Sequence, residues 1–454
     1  MSRREFDVIV IGAGPAGEVV AGRLGEGGLK VAIVERHLIG GECSFYACMP
    51  SKALLRPPDV VDEARRIPGA AEAVSGELDV PAVLRRRDEV IHDLDDTSML
   101  PWLSDRGVEV VRGSGRITGE RTVAVGDDEL VARRAVVVAT GSDPLIPPID
   151  GLREAEPWTN REITTTKTVP ERLLILGGGV VGVEMADAFS AFGSQVTLVE
   201  GGERLIAHEE PFASEHVHDA LEARGVRIIT GAKATAVSRN GAVTMELDGH
   251  EPITGDQVLV AVGRSLNTRE IGLDAIRLEP GKPVAVRDTM QSTAHDWLYA
   301  IGDANGRVLL THMGKYQGRI AADHILGKPV ELRSDGALSP RVIFTDPQVA
   351  SVGHTEATAR EAGLNVRIVE VGTGANAGGS FYGRNAPGTA RILVDEDRGV
   401  VAGATFTGPD IGESLHAATI AVVGEVPLEL LWHAVPSFPT RSELWLRLLE
   451  SYGL

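Results

Sequence analysis

Short apolar runs stopped by glycine recur along the first two-thirds of the chain. Asp7-Val8-Ile9-Val10-Ile11 and Val31-Ala32-Ile33-Val34 form one pair, and Leu173-Leu174-Ile175-Leu176 and Val196-Thr197-Leu198-Val199 form another. Runs of β-branched and aliphatic residues without alternation predict strands buried on both faces, as in a parallel sheet. Between the members of each pair lies a helix-compatible stretch, 18–25 in the first. Strand, helix and strand in this order predict a βαβ unit, present twice. The last third reads as mixed α/β. Strands are expected over 390–394 and 400–404, and helices over 412–423 and 442–452.

The turns inside the two units carry the chemistry. The first strand enters Gly12-Ala13-Gly14-Pro15-Ala16-Gly17 and the second strand ends at Glu35; later, Gly177-Gly178-Gly179-Val180-Val181-Gly182 is followed by Glu200 at the same distance. Such glycines permit a tight turn and close backbone approach to a pyrophosphate on the helix N-terminus, while the acid takes a ribose hydroxyl. Gly12, Gly14, Gly17 and Glu35 therefore read as one dinucleotide site, and Gly177, Gly179, Gly182 and Glu200 as a second. Two such sites imply electron flow between two dinucleotides. Glu200 suits a free 2′-hydroxyl and the nearest cation is Arg204, so NADH is favoured over NADPH.

Composition narrows the classes. The chain has 454 residues, 43% of them hydrophobic, enough for two to four domains, and a mean hydropathy near zero. Its net charge of −19 opposes a phosphate backbone, which argues against nucleic-acid binding. No stretch is long and apolar enough to span a bilayer, and the N-terminus runs into a strand without a leader-like segment, so a cytoplasmic location is expected. There are two cysteines, Cys43 and Cys48, in Gly40-Gly41-Glu42-Cys43-Ser44-Phe45-Tyr46-Ala47-Cys48-Met49-Pro50-Ser51-Lys52. A bridge here would close a very short loop and restrict the unfolded chain little. A redox pair is the better reading than a structural bridge or two core thiols.

With these motifs in place, the whole chain resembles the class I pyridine nucleotide-disulfide oxidoreductases, the family of lipoamide dehydrogenase, glutathione reductase and mercuric reductase. The redox run resembles the family's Gly-Gly-x-Cys-x-x-x-x-Cys-x-Pro-Ser-Lys, which includes Gly41. Ala139-Thr140-Gly141 resembles the turn closing the FAD segment, Ala261-Val262-Gly263-Arg264 the end of the NAD segment, and Ala300-Ile301-Gly302-Asp303 the motif whose Asp binds the ribityl chain. Thr311-His312-Met313-Gly314 lies where the family contacts the isoalloxazine edge. The resemblance implies an α/β fold with two Rossmann-like FAD- and NAD(P)-binding domains and a C-terminal α+β dimerisation domain. The expected divisions are 1–147 (FAD), 148–266 (NAD(P)), 267–333 (central, FAD) and 334–454 (dimerisation). It further implies that NADH reduces FAD, that Cys48 is the thiolate against the flavin, and that Cys43 meets the substrate. Lys52 is a suitable cation for the thiolate, and the resemblance pairs it with Glu184.

The sequence also departs from that pattern. The family's C-terminal His-x-His-Pro-Thr-x-Ser-Glu reads here Pro436-Ser437-Phe438-Pro439-Thr440-Arg441-Ser442-Glu443. Phe438 holds the position of the acid–base, and Glu443 has no imidazole to orient. A positioned acid–base contributes about 10²–10⁴-fold to such chemistry, and His433 is separated from the position by a proline-containing segment. Glu42 beside Cys43 is expected to disfavour the thiolate, and Phe45 and Tyr46 make the outer half of the site aromatic. The expected function is an FAD-dependent NAD(P)H oxidoreductase passing electrons through Cys43 and Cys48 to a small disulfide or other small-molecule acceptor, as a homodimer. A quinone-type reductase that bypasses the thiols is the alternative, and a redox-sensing flavoprotein without turnover a further one.

Overall fold

The computed structural model describes residues 2–384, 386 and 388–454. Internal contacts divide the chain into two units: Met1–Pro50, Asp88–Leu145 and Gly263–Gly336 form one, and Ser51–Arg87, Ile146–Val262 and Ala337–Leu454 the other.

The first unit is built on a seven-stranded sheet. Val108–Arg112, Val31–Glu35, Arg3–Ile11 and Asp128–Val138 lie side by side in parallel, and Leu298–Ala300 joins the last of them, also in parallel. Thr122–Val125 and Gly115–Gly119 extend the sheet as an antiparallel hairpin. The unbroken apolar runs explain the arrangement: Val8, Ile9, Val10, Val31 and Ile33 are fully buried, each worth about 1.5–3 kcal/mol on removal from water.

One face is covered by two helices, Pro15–Glu26 and Thr311–Ile325. Pro15 opens the first, where its missing N–H costs nothing. The two helices approach closely because the second carries glycines at the contact. A Cβ on Gly314 would lie 3.2 Å from the Ala16 Cβ, and one on Gly318 would lie 3.0 Å from the Ala16 carbonyl oxygen. Arg23 fixes the far end with two hydrogen bonds to Asp323, at 3.0 and 2.6 Å.

The second unit repeats the motif. Arg227–Ile229, Gln195–Val199, Arg172–Leu176 and Gln257–Val260 form a parallel sheet with the same third–second–first–last order as the parallel strands of the first unit. Ala234–Asn240, Ala242–Leu247 and His250–Gly255 form a separate antiparallel sheet. The C-terminal part is a five-stranded antiparallel sheet in the order Arg341–Ile343, Gln348–Gly353, Val400–Gly408, Thr389–Asp395, Val366–Gly372. Leu415 and Ala418 of the Leu415–Val423 helix and Leu444 and Leu448 of the Glu443–Tyr452 helix join the core on this sheet. The expected helix over 412–423 starts as a tighter 3₁₀ turn, Ile411–Ser414. Among the described residues, no helix is long and apolar enough to cross a membrane.

Gly318→Val places a branched side chain where even a Cβ is tight. We expect it to push the helices apart and destabilise the first unit by roughly 1–3 kcal/mol, read as a lower thermal midpoint of the flavin-bound protein.

Candidate active site

Both fingerprints fold into the same local structure. Gly12 and Gly177 have φ of 104° and 111°, a region only glycine enters freely. A Cβ on Gly17 would overlap the Gly12 carbonyl oxygen, and one on Gly182 would overlap that of Gly177. By contrast, a Cβ on Gly14 or Gly179 would meet nothing within 4 Å. Each helix therefore begins directly against its strand and leaves an open approach to its first turn.

The acids are held identically. Glu35 accepts from the backbone N–H of Ala13 and of His37, both at 2.7 Å. Glu200 accepts from Gly178 at 2.6 Å and Gly202 at 2.7 Å. In both cases one oxygen binds the fingerprint turn and the other binds the residue two places after the acid. Arg204 instead donates to the carbonyls of Ala207 and Glu209, at 2.7 and 2.9 Å.

Other expected FAD residues gather in the first unit. Thr140 carries a buried hydroxyl without a hydrogen-bond partner in the protein, and Gly141 follows with φ of 67°. Asp303 accepts from Ser142 at 2.5 Å, and Arg264 donates to Ser142 Oγ at 2.6 Å. Gly302 turns with φ of 62° ahead of Asp303, while Gly263 (φ 138°) ends the loop into the Arg264–Leu266 strand. A Cβ on Gly41 would stand 2.8 Å from Gly14 Cα, so the redox run packs against the fingerprint. An orphaned hydroxyl, an open helix N-terminus and an anchored acid fit a dinucleotide.

Cys43 sits in the middle of the short helix Gly41–Phe45, and Cys48 opens the Cys48–Arg66 helix. Both are thiols. Thr311 Oγ1 lies 3.4 Å from Cys48 Sγ. The Cys48 thiol and burial push the Cys43 thiol up, whereas Thr311 and the charge of Lys315 pull it down. Glu42, expected to disfavour the Cys43 thiolate, has its carboxylate 3.9 Å from Arg264.

In the second unit, Lys52 and Glu184 meet. Nζ lies 2.7 Å from Glu184 Oε2 and 4.6 Å above the Phe344 ring, and the Phe344 N–H donates to Glu184 Oε1 at 3.1 Å. Glu184 is only 3% exposed. Its burial comes from a helix, Val180–Ala191, that is apolar almost all round. Val180, at the start of that helix, is exposed. At the C-terminus, Phe438 is 76% exposed and His433 is exposed as well, while Glu443 is buried with Oε2 lacking a hydrogen-bond partner.

Sequence reasoning missed Thr311 as a thiol partner; its place at the N-terminus of the Thr311–Ile325 helix, remote in sequence from Cys48, is set by tertiary packing.

The duplicated fold and the dithiol define a flavin- and nicotinamide-binding disulfide oxidoreductase. Residues 6–318 match the pyridine nucleotide-disulphide oxidoreductase family, and residues 339–448 match its dimerisation domain. A dihydrolipoyl dehydrogenase of Chlamydia trachomatis is 32% identical over 447 residues, covering 97% of this chain and 95% of that one. A mercuric reductase of Lysinibacillus sphaericus is 29% identical, covering 96% of this chain and 81% of that one. Among solved structures, the HOCl-induced flavoprotein disulfide reductase RclA of Escherichia coli is 25% identical, with a TM-score of 0.85 over 98% of this chain and 99% of that one. The chain belongs to the pyridine nucleotide-disulphide oxidoreductase family and is an FAD-dependent enzyme that uses a pyridine nucleotide.

Lys52→Met leaves the Glu184 carboxylate buried with one backbone donor. Because Lys52 is itself about one-third exposed, screening discounts the pair, and we expect a loss of roughly 1–3 kcal/mol. The double variant Lys52→Met/Glu184→Leu should lose less than Lys52→Met alone, measured by urea midpoints.

Proposed function

We propose that the protein is an NADH-dependent reductase of small disulfides that works as a homodimer. The observation that carries this reading is the pair of thiols Cys43 and Cys48, the latter 3.4 Å from the Thr311 hydroxyl, in the same unit as the first fingerprint. Relatives named dihydrolipoyl dehydrogenase and disulfide reductase support the class of acceptor.

When bound, FAD supplies a two-electron relay between reduced nicotinamide and the cysteine disulfide. The chain's residues do the rest. Gly12, Gly14, Gly17, Glu35, Gly41, Thr140, Gly141, Gly302 and Asp303 hold the flavin nucleotide; Gly177, Gly179, Gly182, Glu200 and Gly263 serve the nicotinamide nucleotide. Cys48 receives the electrons, Cys43 presents them to the acceptor, and Lys52 with Glu184 supplies fixed charge at the nicotinamide side. Glu443, buried at the start of the C-terminal helix, keeps a carboxylate oxygen without a partner in that segment. Exposed Leu430, Val435 and Phe438 in that segment support burial against a second copy.

For the nicotinamide, Glu200 is fixed with its charge at the ribose position and Arg204 is engaged with loop carbonyls. A 2′-phosphate would meet the Glu200 carboxylate, with Arg204 Nη2 already bonded to loop carbonyls and only its buried Nη1 without a partner. We expect kcat/KM for NADH to exceed that for NADPH by at least about tenfold, equivalent to about 1.4 kcal/mol, and Glu200→Ala to narrow the ratio.

A second reading rests on Phe438, an exposed ring where disulfide reductases of the resemblance carry a base. It favours a quinone-type acceptor that takes electrons without the thiols. Anaerobic NADH addition, followed by thiol titration, separates the readings. Disulfide reduction predicts that the two cysteines become titratable on NADH addition, and that Cys43→Ser abolishes turnover of a disulfide such as lipoamide. Full turnover in Cys43→Ser with a quinone alone would transfer the assignment to the second reading.

A further inference from the structure

At the second fingerprint, the charges around the ribose acid are unevenly committed. Glu200 is clamped by the backbone N–H groups of Gly178 and Gly202, and Arg204 spends Nη2 on the carbonyls of Ala207 and Glu209. Beside them runs the loop that follows the Arg227–Ile229 strand. The N–H of Gly231 donates to the Gly202 carbonyl at 2.8 Å, and that of Ala232 donates to the Glu200 carbonyl at 3.2 Å. These bonds fix the loop against the turn that clamps the acid. Lys233 comes next, its own carbonyl accepting from the Asp248 N–H at 2.9 Å. A Cβ on Gly201 would stand 3.8 Å from Lys233 Cγ, and one on Gly202 would stand 3.1 Å from Glu200 Oε1. The lysine stem and the carboxylate thus flank the same two glycines. Lys233 is exposed, and among the described residues its ammonium has no ion pair or hydrogen bond.

We propose that Lys233 sets how the second site treats a 2′-phosphate on the adenosine ribose, meeting it with the ammonium so that NADPH is a weakened ligand and not an excluded one. The proposal rests on the reading that the second fingerprint holds the nicotinamide nucleotide by its adenosine half.

The chemistry of the turn supports it. A free 2′-hydroxyl needs an acceptor, which Glu200 supplies. A 2′-phosphate brings about 1.5 to 2 negative charges at neutral pH, and both Glu200 and the exposed Glu203 on the same turn oppose it. The cation that answers it must be uncommitted and close to the turn. Lys233 meets both conditions, and a flexible stem with rotatable donors lets it follow the phosphate while the Glu200 clamp stays closed. Gly201 and Gly202 put no side chain between the stem and the carboxylate.

The test is calorimetric titration of the flavin-bound protein with ADP-ribose and with 2′-phospho-ADP-ribose, which requires neither turnover nor an acceptor. FAD fills the first site, so both ligands report on the second. The wild type should bind ADP-ribose more tightly. Lys233→Met should weaken the phosphorylated ligand by about three- to tenfold and Lys233→Glu by more, with ADP-ribose unchanged in both and Lys233→Arg like the wild type. Near about 1 M salt, where screening acts within about 3 Å, the gap between wild type and Lys233→Met should close. Because Lys233 is exposed and unpaired, the variants should keep the wild-type thermal midpoint. Equal binding of the phosphorylated ligand by wild type and Lys233→Glu, or an equal loss for both ligands, overturns the proposal. Binding of neither ligand by the wild type overturns the nucleotide-site reading and the proposal with it. Tighter binding of the phosphorylated ligand by the wild type overturns the NADH preference instead, and the Lys233 variants still decide the role of the lysine.

Discussion

Each nucleotide site depends on a contact between a helix and the glycine that ends the preceding strand. Gly17 stands against the Gly12 carbonyl and Gly182 against that of Gly177, at a separation no Cβ would permit. This lets the helix N-terminus start at the sheet edge, where its unpaired N–H groups face an anion. It also brings the fingerprint turn within reach of the acid at the end of the next strand, so that Glu35 and Glu200 are clamped by backbone donors. The redox run then packs on the first turn through Gly41 and Gly14. Open nucleotide approach, fixed acid and placed dithiol follow from one steric condition met twice.

Much of this was legible in the chain. The unalternating runs ending in glycine marked the parallel strands, because burial on both faces leaves no polar face to write. The repeated glycine spacing and the equal distance to Glu35 and Glu200 pointed to two matched turns, and the two fold alike. Strand ends were less legible. Arg3–Ile11 and Val400–Gly408 outrun the apolar runs that announced them, since backbone pairing continues where side chains are polar or exposed. The Lys52–Glu184 contact followed from resemblance and is present at 2.7 Å, but its burial is a property of packing that spacing does not encode.

The surroundings of the cysteine pair were legible only in part. Sequence proximity placed Glu42 next to Cys43 and pointed to charge repulsion; in the fold its carboxylate also lies 3.9 Å from Arg264. Thr311, remote in sequence, comes to within 3.4 Å of Cys48 Sγ. Contacts between distant elements are tertiary, and spacing along the chain does not encode them. The Phe438 substitution, by contrast, was visible at once.

The twin clamps on Glu35 and Glu200 have a consequence for ligand choice. The two turns have the same backbone geometry, and each acid is pinned by the same pair of backbone donors. Two such turns offer identical surroundings to whatever part of a nucleotide they meet, so what distinguishes a flavin ligand from a nicotinamide ligand has to lie outside the repeated motif.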